Sequence, residues 1–363
     1  MTLILAVVLI ALIFEYINGF HDTANSIATV VSTKVLTPRQ AIVMAAFTNL
    51  LGALWGTAVA KTISSGLVDA KLVSLSSDIL MCALLGAIVW NLVTWWFGLP
   101  SSSSHALIGG LCGAALAAAD DNWKVIIWSQ PSSEHWWLGK GLLWKVIMPM
   151  VTSPILGLVL GFVLMALLYL LLRNVRPARV SRFFAGAQIF SAASMGLMHG
   201  TNDAQKTMGI IALTLMGATQ AGQFNGLPGW LSFLHTPAPA PGQTLEIAVW
   251  IKVACALTMA AGTAAGGWRI IKTLGHKMVK LQPVNGFAAE TASASVILAA
   301  THLGIPVSTT HNISAAIMGV GSARRFNAIK WTVVERMLWA WILTIPVTAG
   351  VAYGLVKFFR LFG

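Results

Sequence analysis

Two stretches of the chain carry the same pattern of glycine, amide and carboxylate. They read Asn-Gly-Phe-His-Asp-Thr-Ala-Asn at residues 18–25 and His-Gly-Thr-Asn-Asp-Ala-Gln-Lys at residues 199–206. Gly19 therefore matches Gly200, and Asp22 matches Asp203, 181 residues further along the chain. Each stretch interrupts a long apolar segment with charge, which predicts a functional position inside a membrane.

A second pair of stretches repeats in the same order. It reads Leu-Pro-Ser-Ser-Ser-Ser-His at residues 99–105 and Ile-Pro-Val-Ser-Thr-Thr-His at residues 305–311, a separation of 206 residues. A proline, three consecutive hydroxyl residues and a histidine thus recur in each half. Two pairs of motifs that recur in the same order indicate that the chain contains an internal repeat, with one copy in each half.

The composition excludes most classes of protein. Of the 363 residues, 57% are hydrophobic and only 9% are charged, and the mean hydropathy is +0.78. A soluble domain has about 25% charged residues, so a soluble, disordered or secreted disulfide-rich protein is excluded. We predict an all-α polytopic membrane protein. The net charge of +12 is assigned to loops that orient membrane helices, not to nucleic-acid binding.

Apolar segments long enough to cross a bilayer, at about 20 residues each, predict ten crossings. They lie at about 3–33, 41–60, 79–98, 101–119, 144–172, 183–219, 246–268, 286–303, 306–322 and 332–358. Segments 3–33 and 183–219 exceed one span and contain a polar, glycine-bearing interruption, so each is predicted to be a broken helix. Segments 101–119 and 306–322 are short and begin with proline and hydroxyl residues, which is typical of half-helices. Splitting the broken helices raises the count from 10 to about 12.

Five crossings in each half require the halves to have opposite orientations, as in the inverted repeats of secondary transporters. We expect a first repeat at 1–173, a basic cytoplasmic linker at 174–182 and a second repeat at 183–363. Thirteen Lys and Arg residues fall on one side of this map, against seven on the other. The side with more positive charge is predicted to be cytoplasmic, which places both termini outside. The thirteen are Lys34, Arg39, Arg173, Arg176, Arg179, Arg182, Arg269, Lys272, Lys277, Lys280, Arg324, Arg325 and Lys330.

The proline and hydroxyl motifs predict an anion site. Proline suits the first turn of a helix, and a helix N-terminus offers free backbone N–H groups and a positive dipole end. Two such termini facing each other would surround a tetrahedral oxyanion. The candidate ligands are Ser102, Ser103, Ser104, Ser308, Thr309 and Thr310, with Gln205 and Lys206 from the neighbouring motif. The alternative is that the hydroxyl groups only cap their helices.

The aspartate motifs predict a site for a coupling cation. Carboxylates, amide oxygens and free carbonyls together suit a hard cation, and a protonatable aspartate would serve proton coupling equally. The candidates are Asp22, Asn25, Asp203, Asn202 and Asn18. A structural ion pair of Lys206 with an aspartate is the alternative, and Lys206 facing the anion directly is another.

Three further residues are candidates for a proton-linked role: His21, Glu15 and Glu290. The default interpretation of each histidine is a neutral side chain in helix packing. Cys82, Cys112 and Cys255 have no metal-ligand spacing, so no metal and no cofactor is expected. Ser-His neighbours lack a third orienting group, so the protein is not expected to be an enzyme.

Together, the four motifs resemble the signatures of the inorganic phosphate transporter (PiT) family over nearly the whole chain. The resemblance implies a symporter of phosphate with Na⁺ or H⁺, with phosphate between the halves near the hydroxyl residues and the cations near the aspartates. His21 stands where many members have Asn, a form that resembles the bacterial low-affinity branch. That branch implies the cell inner membrane, proton coupling and transport of metal–phosphate complexes. A Na⁺-coupled carrier, a sulfate permease of the same fold, an anion channel and a homo-oligomer stay open.

Overall fold

The computed structural model describes residues 2–65, 67–69, 72–73, 75–130, 139–238 and 246–362. Within these ranges the chain is helical between its loops, and the β-structure is limited to two isolated bridges, Val68 with Ile126 and Gln130 with Lys140. The predicted all-α class is therefore confirmed.

Twelve α-helices follow one another in the described chain. They are α1 Thr2–Ser32, α2 Pro38–Ala53, α3 Ala58–Ser65, α4 Ser77–Phe97, α5 Ser103–Ala118, α6 Met148–Leu172, α7 Pro177–Gln220, α8 Val249–Ala265, α9 Trp268–Lys272, α10 Pro283–His302, α11 Thr309–Arg324 and α12 Trp331–Phe362. A π-helical turn, Leu143–Ile147, leads into α6, and another, Thr273–Lys277, continues α9. Because α7 begins at Pro177, most of the predicted basic linker 174–182 belongs to its first turns.

Apolar helices of membrane-spanning length confirm a multi-pass membrane protein. In the described chain, four spans qualify by length and hydropathy, at Thr2–Ser32, Ser77–Phe97, Leu143–Leu172 and Trp331–Leu361. The pair Val249–Ala265 and Trp268–Lys277 qualifies as one span bent by 58°. The remaining helices are too short or too polar to qualify as membrane spans by length and hydropathy. The number of ten crossings therefore stays a prediction.

The prediction that segments 3–33 and 183–219 are broken helices is wrong. Both are continuous, as α1 with 31 residues and α7 with 44. Gly19 and Gly200 serve close packing instead. A Cβ atom at Gly19 would collide with the carbonyl oxygen of Met259 on α8, and one at Gly200 would collide with that of Asn49 on α2. Glycine therefore lets two backbones touch, and the helix hydrogen bonds continue past it.

Interruptions occur instead in segments 41–60 and 246–268. The first ends as α2 at Ala53 and restarts as α3 at Ala58. The second bends between α8 and α9, where Gly266 has a φ of +73° that favours glycine. The partners of α7 and α1, rather than α7 and α1 themselves, are thus the discontinuous helices.

The helices pack in two sets of corresponding pairs. α1 packs on α8 as α7 packs on α2, and α5 packs on α12 as α11 packs on α6. α1 and α7 cross at the centre in opposite directions, since Thr207 contacts Glu15 whereas His199, eight residues earlier, lies by Asp22. The short helices α5 and α11 direct their N-termini at this crossing. At 16 residues, or about 24 Å, neither spans a hydrocarbon core of about 30 Å.

Candidate functional site

The two aspartates of the repeated motif meet where α1 and α7 cross. Asp22, Asp203 and His199 each offer a ligand atom within 4.8 Å of the others, and all three side chains are buried. His199 Nε2 lies 3.0 Å from Asp203 Oδ2. These three groups are the described residues that could hold a metal ion, and they lie between the two halves of the chain.

The N-terminus of α11 supplies hydroxyl donors to both aspartates. Thr309 donates to Asp203 over 2.9 Å, and Thr310 donates to Asp22 over 3.3 Å. The Asn25 amide donates to both threonine hydroxyl oxygens, over 3.1 and 2.9 Å. Ser308 accepts from the backbone N–H of His311 and so acts as the N-cap. Thr309 and Thr310 are therefore the hydroxyls of this run that face the aspartates.

The N-terminus of α5 approaches from the other half. Ser102 accepts from the backbone N–H of His105 and is the N-cap, which matches Ser308. Ser104 accepts a hydrogen bond from the Lys206 ammonium, whereas the buried Ser103 hydroxyl has no hydrogen-bond partner among the residues that the structure describes. Of the predicted serines, Ser103 and Ser104 thus carry hydroxyl groups that are not committed to capping.

Lys206 joins the two helix termini. Its buried ammonium donates to Asp203, to Ser104 of α5 and, over 3.2 Å, to the carbonyl oxygen of Val307 just before α11. Because a buried ammonium is costly unless it is paired, the ion pair with Asp203 satisfies it. The predicted ion pair of Lys206 with an aspartate is therefore present, whereas a direct contact of Lys206 with an anion stays a prediction.

His21 connects the aspartate site to α4. Its Nδ1 lies 2.7 Å from Asp22 Oδ1, and its Nε2 lies 3.1 Å from the Thr94 hydroxyl, which also accepts from Ser101. Thr94 was not predicted, because one hydroxyl in an apolar helix usually bonds its own preceding turn, as Thr94 also does.

Asn49 of α2 is a second residue near the aspartates that was not predicted. Asn49 Oδ1 lies 3.1 Å from His199 Nδ1, and the Asn49 amide donates to Thr263 over 3.0 Å. The sequence shows a polar asparagine within the predicted membrane segment 41–60, and the structure shows that it is buried. Its contact with His199 depends on which helix faces α2, which the sequence does not show.

Five predicted residues lie apart from the hydroxyl cluster. Gln205 accepts from the Val59 backbone and donates to the Trp55 carbonyl, so it holds the connection between α2 and α3. Asn202 donates to Thr301 and to the Ile305 carbonyl. Asn18 is buried one turn before Asp22, and its amide oxygen has no hydrogen-bond partner in the described ranges. The remaining two are the glutamates, which form separate contacts.

The two glutamates flank the site along α1. Glu15 lies seven residues before Asp22 and accepts from the Thr207 hydroxyl. Thr29 lies seven residues after Asp22 and donates to Glu290, which also accepts from Ser191 and Gln188. At 1.5 Å per residue, each buried carboxylate is displaced by about 10 Å along the helix from the aspartate pair.

Comparison with known proteins identifies relatives over nearly the full length. A family model described as the phosphate transporter family matches residues 18–352. The probable low-affinity inorganic phosphate transporter of Bacillus subtilis is 43% identical over 362 residues, covering 99% of this chain and 97% of that protein. A protein of the same name in Rhizobium meliloti is 43% identical over 348 residues, covering 96% and 93%.

A solved structure is similar in fold. It is the sodium-dependent phosphate transporter, which superposes with a TM-score of 0.79 at 23% identity and covers 99% of this chain and 100% of its own. At that identity the likeness shows the helical fold alone.

Proposed function

Because the chain belongs to the phosphate transporter family, we propose that it is a secondary active transporter that carries inorganic phosphate across the cell membrane in symport with a cation. Phosphate is supported by the names of the relatives and by the chemistry of the site. A buried ammonium, free hydroxyl groups and two helix N-termini favour a tetrahedral oxyanion. A phosphate–metal complex is the same cargo with its charge partly neutralised.

One observation carries the coupling mechanism. The donors that a phosphate needs are occupied by the protein's own carboxylates, since Thr309 and Lys206 donate to Asp203 and Thr310 donates to Asp22. Two carboxylates and an added phosphate would also repel one another strongly at low dielectric. A cation that neutralises the carboxylates removes this repulsion and releases the donors. Binding of the cation therefore prepares the site for the anion.

The contacts of the aspartates favour a proton as that cation. Asp203 already contacts Lys206 and His199, and Asp22 contacts His21 at 2.7 Å. A sodium ion would have to displace these basic groups to collect its oxygen ligands. A proton needs only one acceptor atom, which a carboxylate oxygen or an imidazole nitrogen provides. We assign Asp22 and Asp203 as the proton acceptors and His21 as a proton-linked partner.

The phosphate ligands are assigned to the hydroxyl groups of α5 that do not cap the helix and to the donors that contact the aspartates. They are Ser103, Ser104, Thr309, Thr310 and Lys206, together with the free N–H groups of α5 and α11. Ser102 and Ser308 hold those helix termini in place as caps. Asn25 orients the two threonines, while Gln205 positions α7 against the connection between α2 and α3.

We propose an inverted repeat as the basis of alternating access. The support is the correspondence of helix pairs, in which α1–α8 matches α7–α2 and α5–α12 matches α11–α6, with α1 and α7 antiparallel. Rocking of one set of helices against the other would expose the central site to each side in turn. The face with thirteen basic residues is then cytoplasmic and both termini lie outside.

The test is uptake of radiolabelled phosphate into sealed proteoliposomes containing the full chain. We expect uptake driven by an imposed proton gradient, without Na⁺ and without inhibition by sulfate. Asp22→Asn and Asp203→Asn are each expected to abolish gradient-driven accumulation, whereas Asp78→Asn, an exposed residue in the first turn of α4, serves as the control.

Other outcomes would identify the rivals. Uptake driven only by Na⁺ would retain the carrier and refute proton coupling. Accumulation of sulfate instead of phosphate would refute the substrate, and flux that neither saturates nor follows a gradient would indicate a channel. If both Asn variants accumulated phosphate normally, the assignment of the aspartates would be wrong.

A further inference from the structure

A second concave site lies at the other end of α11, away from the aspartates. It is a cavity of about 400 Å³ between the end of α11, the segment that follows α9 and the loop before α12. Its floor is formed by buried residues that include Val279, Val320 and Gly321, and its rim is open to solvent. α11 runs from Thr309 to Arg324, so the cavity is about 22 Å from the hydroxyl cluster at 1.5 Å per residue.

The rim of this cavity is strongly basic. Four of its thirteen lining residues carry a full positive charge, and none of the thirteen is acidic. The four are Lys280, Arg324, Arg325 and Lys330, and His276 adds an imidazole. In the part of the chain that the structure describes, none of these four cations has a carboxylate within ion-pair distance.

At the corresponding end of α5, the basic side chains are paired with carboxylates. There Arg360 donates to the last carbonyls of the helix, at Ala117 and Ala118, and to Asp120 over 2.9 Å. Lys357 lies 3.5 Å from Asp121. Carboxylates therefore balance the cations at the end of α5, but those at the end of α11 are left unbalanced.

Membrane orientation explains the sign of these charges but not their arrangement. The tendency of basic residues to face the cytoplasm requires loop charges on one side of the bilayer. It does not require four of them to surround one cavity, where they repel one another. Such an arrangement is stabilised when an anion occupies the cavity.

We infer that this cavity is a second, regulatory site that binds a phosphate group. Arginine forks match phosphate oxygens through paired hydrogen bonds, and Arg324 and Arg325 lie next to each other on the rim. Two sources present this chemistry: the headgroup of an anionic phospholipid and a free phosphate anion. The inference goes beyond the proposed transport site, because none of the lining residues belongs to that site.

α11 connects the cavity to the proposed transport site, so that an anion bound in the cavity would affect that site through the helix. Arg324 is the last residue of α11, and Thr309 is the first. An anion bound across Arg324, Lys280 and Lys330 would tie the end of α11 to the segment that follows α9 and to the loop before α12. Since α11 has to move if the halves rock, occupancy would bias the conformation of the carrier.

The test compares two double variants of the purified full chain with equal changes in charge. R324Q/R325Q removes the guanidinium groups of the cavity. R179Q/R182Q removes two exposed arginines of α7 that lie outside it. One assay counts phosphatidylglycerol molecules retained against phosphatidylcholine by native mass spectrometry. The other measures the stoichiometry of radiolabelled inorganic phosphate by equilibrium dialysis.

We expect R324Q/R325Q to lose one bound ligand per chain relative to both the unmodified protein and R179Q/R182Q, with affinity at least about tenfold weaker. Loss of one phosphatidylglycerol identifies the lipid as the source, and loss of one inorganic phosphate identifies the free anion. The difference of one site holds whether or not the central site binds phosphate, so failure of the proposed function is distinguishable.

Two results would overturn the inference. One is that R324Q/R325Q retains both ligands with unchanged stoichiometry. The other is an equal loss in R179Q/R182Q, which would show that net charge alone governs binding. The single variant Lys280→Gln, on a different wall of the cavity, should weaken binding of the same ligand.

Discussion

At the scale of single residues, Lys206 links an aspartate of the site to the N-termini of α5 and α11. Its ammonium contacts Asp203, Ser104 and the Val307 carbonyl within one buried cluster. We predict that Lys206→Gln lowers the rate of phosphate uptake at least about 100-fold, because a charge-assisted contact to the anion is lost. Lys206→Arg should restore part of the rate, since it keeps the charge.

The measurement is the initial rate and KM of uptake in proteoliposomes. Lys124→Gln is the control, because Lys124 is exposed in the loop after α5. A Lys206→Gln variant with a normal rate and a normal KM would show that the lysine only neutralises Asp203.

The histidines are predicted to differ in their role. His21 contacts Asp22 and Thr94 through its two ring nitrogens. Within the described part of the chain, His311 has no hydrogen-bond partner for either ring nitrogen, and it stacks on Trp341 at 4.1 Å between ring centroids. We therefore expect His21→Asn to alter the pH profile of uptake and to slow uptake about tenfold. His311→Phe should keep both the stacking and the pH profile.

Uptake measured between pH 5 and 8, roughly the range in which histidine titrates, separates the two roles. If both variants shifted the profile alike, contact with an aspartate would not be what distinguishes His21.

At the scale of helices, the position of glycine decides how closely two backbones approach. Gly200 touches the backbone of Asn49, whereas Gly186, on the same helix, has no described neighbour within 4 Å of where its Cβ would lie. We predict that Gly200→Ala destabilises the folded protein by about 2 kcal/mol through overpacking. Gly186→Ala should stabilise it by up to about 1 kcal/mol through helix propensity.

Thermal unfolding in detergent, followed by the fluorescence of the 15 tryptophans, measures both changes. Equal unfolding temperatures for the two variants would mean that α2 can move away from α7 at little cost.

These glycines also show where sequence reasoning about elements succeeds and fails. The short helices α5 and α11 were predictable, because proline followed by hydroxyl residues marks a helix start whatever surrounds it. The continuity of α1 and α7 was not. A glycine beside polar residues has the same pattern whether the helix breaks there or a neighbouring backbone packs against it. Whether the helix breaks or continues at the glycine depends on packing against α8 and α2, which are distant in the sequence.

The same limit applies to the site. The repeated motifs identified Asp22, Asp203 and the hydroxyl residues, which the structure brings together. Thr94, Asn49 and the orientation of Gln205 could not be predicted, since each depends on which helix faces it.

At the scale of the whole molecule, the family was predictable from four short motifs and is confirmed by the relatives. The prediction that the protein is not an enzyme rested on the lack of a third orienting group beside the Ser-His neighbours, and it agrees with relatives that are named as transporters. The motifs sufficed because they recur in both halves of the sequence, and the structure brings their matched aspartates together where α1 and α7 cross. The cavity at the end of α11 could not be predicted in this way, because its basic residues lie in only one half of the chain and form no repeated motif.

The orientation of the chain in the membrane determines which side the basic cavity faces. The thirteen basic residues should be cytoplasmic because translocating them is costly. The native cysteines, Cys82, Cys112 and Cys255, are all buried, so the background for cysteine labelling is low. A membrane-impermeant maleimide should label Lys124→Cys in intact cells, but Arg179→Cys only after permeabilisation. The reverse pattern would place the termini and the loop after α5 in the cytoplasm, and the cavity of Arg324 would then face outward, where only external anions and outer-leaflet lipids could reach it.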